Sequence, residues 1–375
     1  MMDFGTANRR LEELFETDDA PSFPRPGTHL AIYGAGNCGR DTLHVLREEG
    51  YHVAGFLDAN AHPAQTIDGT TCCLPGSQLA SELSAAGIPI LVAVFNYTAD
   101  TGEIEASLHR DGFQTVLPYA TLAARFPDQL KSTFWATSRS FFYANRAEIL
   151  RALALWDDDT SRDIFVQSVE LRLTHNLQLL RQPDRENQYF PNSLPPPREP
   201  IRAIDGGAYI GDTLKAMLPF RVEAVAAFEP DTKNFGGLRR WVEHEGQSLD
   251  NPILFPCGLG AKTEIMRFQQ GNAAASCISS YGDSAIQLVA LDDVLPRFQP
   301  NFIKLDIEGA EIEALIGAAS MIRRDQPRIA ACVYHCPSHL WEVPLLLREL
   351  APSNRLHLRY HGFNGFDSVA YSIPK

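Results

Sequence analysis

Basic residues are in deficit: 33 lysines and arginines stand against 46 acids, a net charge of −13. A surface of that sign repels phosphate backbones and argues against a sequence-independent nucleic-acid binder. The acid is spread along the chain, so it reads as solvation rather than as a dock for a cationic partner. Also missing is any uncharged apolar run near the ~18 residues that a membrane span needs. The N-terminus, MMDFGTANRRLEELFETDDAP, has no basic stretch followed by an apolar one and reads as an acidic amphipathic helix. The seven cysteines (Cys38, Cys72, Cys73, Cys257, Cys277, Cys332 and Cys336) form no CxxC pair, which excludes the commonest zinc and redox spacings. An odd count without such a pair suggests reduced, packed thiols. The expectation from these absences is a soluble, cytoplasmic protein.

What is present fits an enzyme-sized globular chain. At 375 residues and 45% hydrophobic content, roughly two or three domains are expected. Proline punctuation divides it. Pro21-SFPRPG-Thr28 leads into a first strand, and Pro191-NSLPPPREP-Ile201 is a stiff extended linker, because consecutive prolines exclude helix. Between them, Leu30–Tyr33, Val53–Leu57 and Ile90–Phe95 read as short strands alternating with helices over Arg40–Glu49 and Gly102–Arg110. That alternation implies a parallel sheet. Residues 131–181 place Leu150, Leu153, Ile164, Leu171 and Leu177 at helical spacing with no internal proline, and read as a helical connector able to pack on either neighbour.

After Pro200 the alternation resumes with strands at 202–205, 224–229, 253–256, 264–268, 287–290, 302–306, 328–333, 356–360 and 368–372, and helices at 213–218, 233–245, 310–319 and 338–349. The last two strands are joined only by His361-GFNGF-Asp367, so they form an antiparallel hairpin. A parallel sheet closed by such a hairpin is the methyltransferase variant of the doubly wound fold. The expected architecture is therefore α/β, with two Rossmann-like doubly wound domains joined by a helical connector. The expected boundaries are 1–127, 128–199 and 200–375.

Two glycine turns follow strands. Gly34-Ala35-Gly36-Asn37-Cys38-Gly39 is GxGxxG before a helix, with Asp58 ending the next strand, the fingerprint of dinucleotide binding on spacing alone. This first unit offers only a few strands and no catalytic pair for hydride transfer. Gly34, Gly36, Gly39 and Asp58 thus leave three readings open: a nucleotide or nucleotide-sugar site, an NAD site, or a module without ligand. The second turn, Asp205-Gly206-Gly207-Ala208-Tyr209-Ile210-Gly211, opens with a carboxylate. An acid there repels a pyrophosphate and attracts a cation such as a sulfonium or ammonium group. Gly206 and Gly207 permit close backbone approach, and Glu229 at the end of the next strand can accept ribose hydroxyls.

Together IDGGAYIGDT, AFEPD, LDDVL at 291–295, FIKLDIEGAEIEAL at 302–315 and the tail VYHCPSHLWEVPLLLREL resemble the FkbM family of S-adenosylmethionine-dependent methyltransferases, from about Pro200 to the C-terminus. The resemblance implies a class I methyltransferase fold and O-methylation of a sugar, glycan or natural-product hydroxyl. It places Asp205, Gly206, Gly207, Ala208, Gly211, Asp212 and Thr213 at the methionine end and Glu229 at ribose, with Pro230 shaping the turn. Cys257 and Gly258 would lie where adenine packs, and Ser276 in a small-residue loop that flanks the cofactor. The first unit resembles N-terminal Rossmann-like domains of sugar-modifying enzymes that bind nucleotide-sugars or serve for docking.

For chemistry, Asp306, Glu308 and His335 are the candidates. One of them can act as general base for a hydroxyl, or Asp306 with a neighbouring carboxylate can hold a magnesium-type ion. Glu308 and Glu311 can instead cap the helix that follows. Lys304 shares a strand face with Asp306 and is expected to pair with it. Asp292 and Asp293 are expected to cap the turn after their strand. Many family members carry a glutamate two residues before the histidine; here Val333 stands there, which leaves a mechanism built on that acid in doubt. The acceptor is expected to be a small molecule or glycan; oligomeric state is not legible.

Overall fold

Short apolar runs rich in Val, Ile, Leu and Phe build the strands that carry the fold. The computed structural model describes residues 2–17, 22–130, 133–180, 182–185, 187–246, 249–250, 252–268 and 284–375. The first sheet contains β1 (His29–Tyr33), β2 (His52–Leu57), β3 (Thr66–Ile67), β4 (Thr70–Cys73), β5 (Ile90–Val92) and β6 (Val116–Pro118), in the order β3-β4-β2-β1-β5-β6. All pairs are parallel except the short edge pair β3/β4. The strand-helix alternation expected over residues 30–110 is present, with one more edge hairpin than the sequence suggested.

The second unit contains β7 (Ile201–Gly206), β8 (Val222–Phe228), β9 (Pro252–Phe255), β10 (Gly258–Leu259), β11 (Glu264–Phe268), β12 (Ser284–Val289), β13 (Phe302–Leu305), β14 (Arg328–Cys332), β15 (Arg355–Tyr360) and β16 (Ser368–Ile373). Its main sheet runs β15-β16-β14-β13-β7-β8-β9. β16 lies antiparallel between β14 and β15, so the terminal hairpin inserts its last strand into the sheet. The strands at 264–268 and 287–290 leave this sheet and join β10 in a separate three-stranded one. β7, β8, β13 and β14 are buried almost throughout, as parallel strands covered on both faces must be.

The connector packs on the second unit. Helix Asp159–Thr174 lies against β15, and helix Arg146–Leu153 against helix His339–Leu350. The N-terminal helix Phe4–Glu16, capped by Asp3 accepting the Thr6 amide at 2.8 Å, buries Leu11, Leu14 and Phe15 against those connector helices rather than against the first sheet. Among the described residues six cysteines are free; Cys277 lies outside them. No helix among the described residues is long and apolar enough to cross a membrane.

Candidate active site

The second glycine turn is tight because two strand ends touch there. A Cβ on Gly207 (φ +75°) would lie 1.8 Å from the Asp306 carbonyl oxygen. The amides of Gly207 and Ala208 both donate to the Phe228 carbonyl at 3.0 Å, which ties the turn to the end of β8. Gly211 (φ +100°) sits under the Trp241 ring, where a Cβ would be 2.9 Å from the ring edge. Glycine is thus required by contact as well as by backbone angle.

Glu229 closes the turn from below. Its carboxylate accepts the Tyr209 amide at 2.9 Å and the Asp231 amide at 2.8 Å, and burial pushes its pKa up to about 7 against those two bonds. A cavity of about 550 Å³ opens above, within the size range of ligand pockets. Gly207, Asp212, Glu229, Pro230 and Gly258 stand in its wall.

Other residues expected to face the cofactor do not line that cavity. Asp205 is fully buried beneath it: Lys304 Nζ approaches its Oδ1 at 3.2 Å and also donates to the carbonyls of Gly206 (3.1 Å) and Gly207 (2.6 Å). Burial raises Asp205 to about 6, offset in part by Lys304. The ion pair expected between Lys304 and Asp306 is therefore made with Asp205, because the ammonium points under the turn and not toward the strand end. Gly206 is walled in by Leu259 and Leu305, Gly211 lies under Trp241, and the side chains of Ala208, Thr213 and Cys257 go to the core. Burial lifts the Cys257 thiol to about 11, which keeps it protonated and inert. Ser276 lies outside the described residues.

The next strand ends bring acids and aromatic hydroxyls to the same cavity. β13 delivers Asp306; Glu308 (φ +53°) and Gly309 (φ +103°) then turn the chain into helix Glu311–Gly317. Asp306 accepts the Tyr189 hydroxyl at 2.7 Å and the Tyr334 hydroxyl at 3.5 Å. His335 follows β14 with its Nε2 3.3 Å from Asp306 and 3.7 Å from Glu308. Its other nitrogen meets Glu311 at 2.8 Å; the same carboxylate accepts the Ile307 amide at 2.9 Å and stands 3.1 Å from His339.

Asp306 and Glu308 line the cavity, whereas the His335 side chain is 2% exposed and stands behind them. Burial opposes charge on His335, yet the carboxylates of Glu311 and Glu308 outweigh it and lift the imidazole to about 10. A charged imidazole at this place acts as a donor to the carboxylates around it. Burial opposes ionisation of Glu311 as well, but His335 and His339 hold it well below the carboxylate range. Glu308 goes the other way: burial, only partly countered by His335, raises it to about 8. Glu311 makes no cap hydrogen bond to its helix; it supplies His335 with a carboxylate where Val333 offers none.

Asp306, Glu311 and His335 present one ligand atom each within 4.8 Å. The set does not suit a magnesium-type ion, which demands several free oxygens. Both Glu311 oxygens already face His335, Ile307 and His339, and the third donor is an imidazole. Asp292 reaches away to accept the amides of Ser320 and Met321, both at 2.8 Å, at the start of helix Ala319–Asp325 rather than capping the turn after its own strand; Asp293 takes the Thr263 hydroxyl at 3.0 Å.

Part of the wall comes from before Pro200: Phe95, Asn96 and Tyr97 after β5, then Phe134, Gln188 and Tyr189. Sequence reasoning missed these, along with Tyr334, Phe366 and Asp367. Only Tyr334 carried a signal, through its place beside His335; the others reach the cavity through tertiary packing alone.

The first glycine turn is closed differently. Asp58 accepts the Ala35 amide at 2.7 Å and the Asn60 amide at 2.8 Å. A Cβ on Gly34 (φ +100°) would meet Val94 at 2.9 Å, and one on Gly39 the Gly34 carbonyl at 1.9 Å, whereas Gly36 faces open space. The Cys38 thiol is hydrogen-bonded to Tyr119, and burial pushes it up to about 12.

Comparison with known proteins bears on residues 205–364, which match the family model described as the methyltransferase FkbM domain. The crystal structure of methyltransferase FkbM from Methylobacillus flagellatus overlays with a TM-score of 0.80 at 20% identity, covering 99% of this chain and 100% of that one. The overlay spans nearly the whole chain, so the overall fold is shared. An rRNA methylase from Streptococcus thermophilus (13% identity, 46% of this chain, 86% of that one) reaches a TM-score of 0.28. Aeropyrum pernix fibrillarin, solved with S-adenosyl-L-methionine, reaches 0.27 (12% identity, 47% and 67%). No curated protein matches the chain.

Proposed function

We propose, from the match of residues 205–364 to the methyltransferase FkbM domain model, that the chain binds S-adenosylmethionine over Gly207 and Glu229 and methylates a hydroxyl of a sugar, glycan or natural-product acceptor. The same reading assigns residues 200–375 to methyl transfer, 128–199 to a helical connector and 1–127 to a first α/β unit. The observation that carries it is that one cavity has both the glycine turn with its ribose-type acid and the pair Asp306 and Glu308 in its wall.

When bound, S-adenosylmethionine supplies a sulfonium methyl that an oxygen nucleophile takes in line, leaving the electron pair on sulfur. Glu229 would accept ribose hydroxyls, the role of the acid at this position in related nucleotide folds. Glu308, with a pKa raised to about 8, is poised to take the acceptor's proton near neutral pH. Asp306, held by two tyrosine hydroxyls and His335, would orient the acceptor hydroxyl. His335 and Glu311 hold those acids in place from behind. Calorimetry with the full chain and a labelled-methyl screen of sugars and glycolipids test the reading; absence of cofactor binding would sink it.

A further inference from the structure

The first unit reaches the methyl-transfer cavity at a point fixed by specific bonds. Asn364, in the turn of the terminal hairpin (φ +61°), donates its side-chain amide to the carbonyls of Asn96 and Ala99, both at 2.8 Å. It also accepts the Thr101 hydroxyl, and its own carbonyl accepts Trp135 Nε1 at 3.0 Å. The Phe363 amide donates to the Tyr97 carbonyl at 3.0 Å. These bonds stitch the 96–101 loop onto the second unit, so the wall they form is built and not an accidental contact.

Two aromatic rings project from this wall. Tyr97 lines the cavity with 48% of its surface exposed, although the backbone beneath it is fastened. Phe134 adopts φ +46°, a strained conformation for an aromatic residue that persists only where the surroundings enforce it. The Phe366 ring, edge-on at 4.9 Å, together with Tyr334 and Phe95 enforces it, and Phe134 still lines the cavity. Beside these rings stand the carboxyl groups of Asp306, Glu308 and Asp367. Among the described cavity-lining residues Lys304 is the one cation, and it is committed to Asp205 and two carbonyls. His335 and Arg185 act on Asp367 from outside the wall.

We infer that Tyr97 and Phe134 of the segment before Pro200 select the acceptor, and that the acceptor is a hydroxyl-bearing ring without negative charge. Aromatic faces pack against the C–H face of such a ring, while carboxylates accept its hydroxyl or ammonium protons. A carboxylate or phosphate on the acceptor would meet the Asp306 carboxylate and two further acids, with no free cation among the described lining residues to answer it. Burial, with Asp306 beside it, lifts Asp367 to about 7, which Tyr334, His335 and Arg185 oppose only in part. The inference rests on the methyltransferase reading above and adds the source and the sign of its selectivity.

The test uses the full chain with S-adenosylhomocysteine and three probes of one shape: methyl glucoside, methyl glucosaminide and methyl glucuronide. Binding is read by saturation-transfer NMR at millimolar probe. The glucoside and glucosaminide are expected to bind, and the glucuronide at least roughly tenfold more weakly. Tyr97→Ala and Phe134→Leu are each expected to weaken the two binders by a similar factor, with Tyr97→Phe restoring affinity and calorimetric cofactor affinity unchanged throughout. Equal or tighter glucuronide binding, no effect of either wall variant, or no binding of any probe overturns the inference. Loss of cofactor binding in the wild type instead overturns the reading beneath it.

Discussion

The two glycine turns share their local construction and differ in what stands around them. In each, a strand ends in glycine, a helix follows, and an acid from the next strand accepts a backbone amide of the turn: Asp58 from Ala35 at 2.7 Å, Glu229 from Tyr209 at 2.9 Å. At the first turn, Val94 presses on Gly34, and Cys38 bonds to Tyr119. At the second, the neighbouring strands end in Asp306, Tyr334 and His335, and a cavity opens. A glycine fingerprint therefore reports a tight strand-helix junction, and the neighbouring strand ends determine whether the junction has chemistry.

The strongest way to break the comparison is to add one methyl group to each turn. Gly207→Ala forces a left-handed residue into the Asp306 carbonyl and is expected to cost more than about 3 kcal/mol and abolish cofactor binding. Gly36→Ala, in open space, should stay within about 0.5 kcal/mol by chemical denaturation. Equal effects would remove the distinction.

Next in size is the base. Glu308→Gln is expected to lower kcat about 10²–10⁴-fold with cofactor affinity retained. Because the deprotonated carboxylate acts, the wild-type rate should rise with pH and level off above about 8, a limb that the variant lacks. A rate that falls over that interval would remove Glu308 from the role.

A smaller effect concerns stability. The folded pKa of His335 is raised above its ordinary 6.5 to about 10. Its stabilising charge is therefore fully present below 6.5 and is lost as pH rises through 10. Denaturant midpoints should decline over that window, and His335→Gln should flatten the decline. An unchanged slope would show that the imidazole is not charged in the fold.

Much of this was legible in sequence because it is local. The glycine turns, the acids that end β2, β8 and β13, and the terminal hairpin are all written in consecutive residues. The face on which a side chain ends was less legible. Asp205 and Lys304 found each other under the turn, because residues on neighbouring parallel strands pair at one level of the sheet. Glu311 looked like a helix cap, yet its buried carboxylate accepts the Ile307 amide from the turn ahead of the helix and meets His335 and His339. The wall built by Tyr97, Phe134 and Tyr189 could not be read at all. It depends on Asn364 fastening a loop from the opposite end of the chain.

The most direct test is calorimetry of S-adenosylmethionine binding to the full chain carrying Glu229→Gln or Asp58→Asn. Removing one ribose-accepting charge at the second turn should weaken binding about tenfold, or ~1.4 kcal/mol, while the matching change at the first turn leaves affinity untouched. Binding lost in Asp58→Asn but kept in Glu229→Gln would contradict the account.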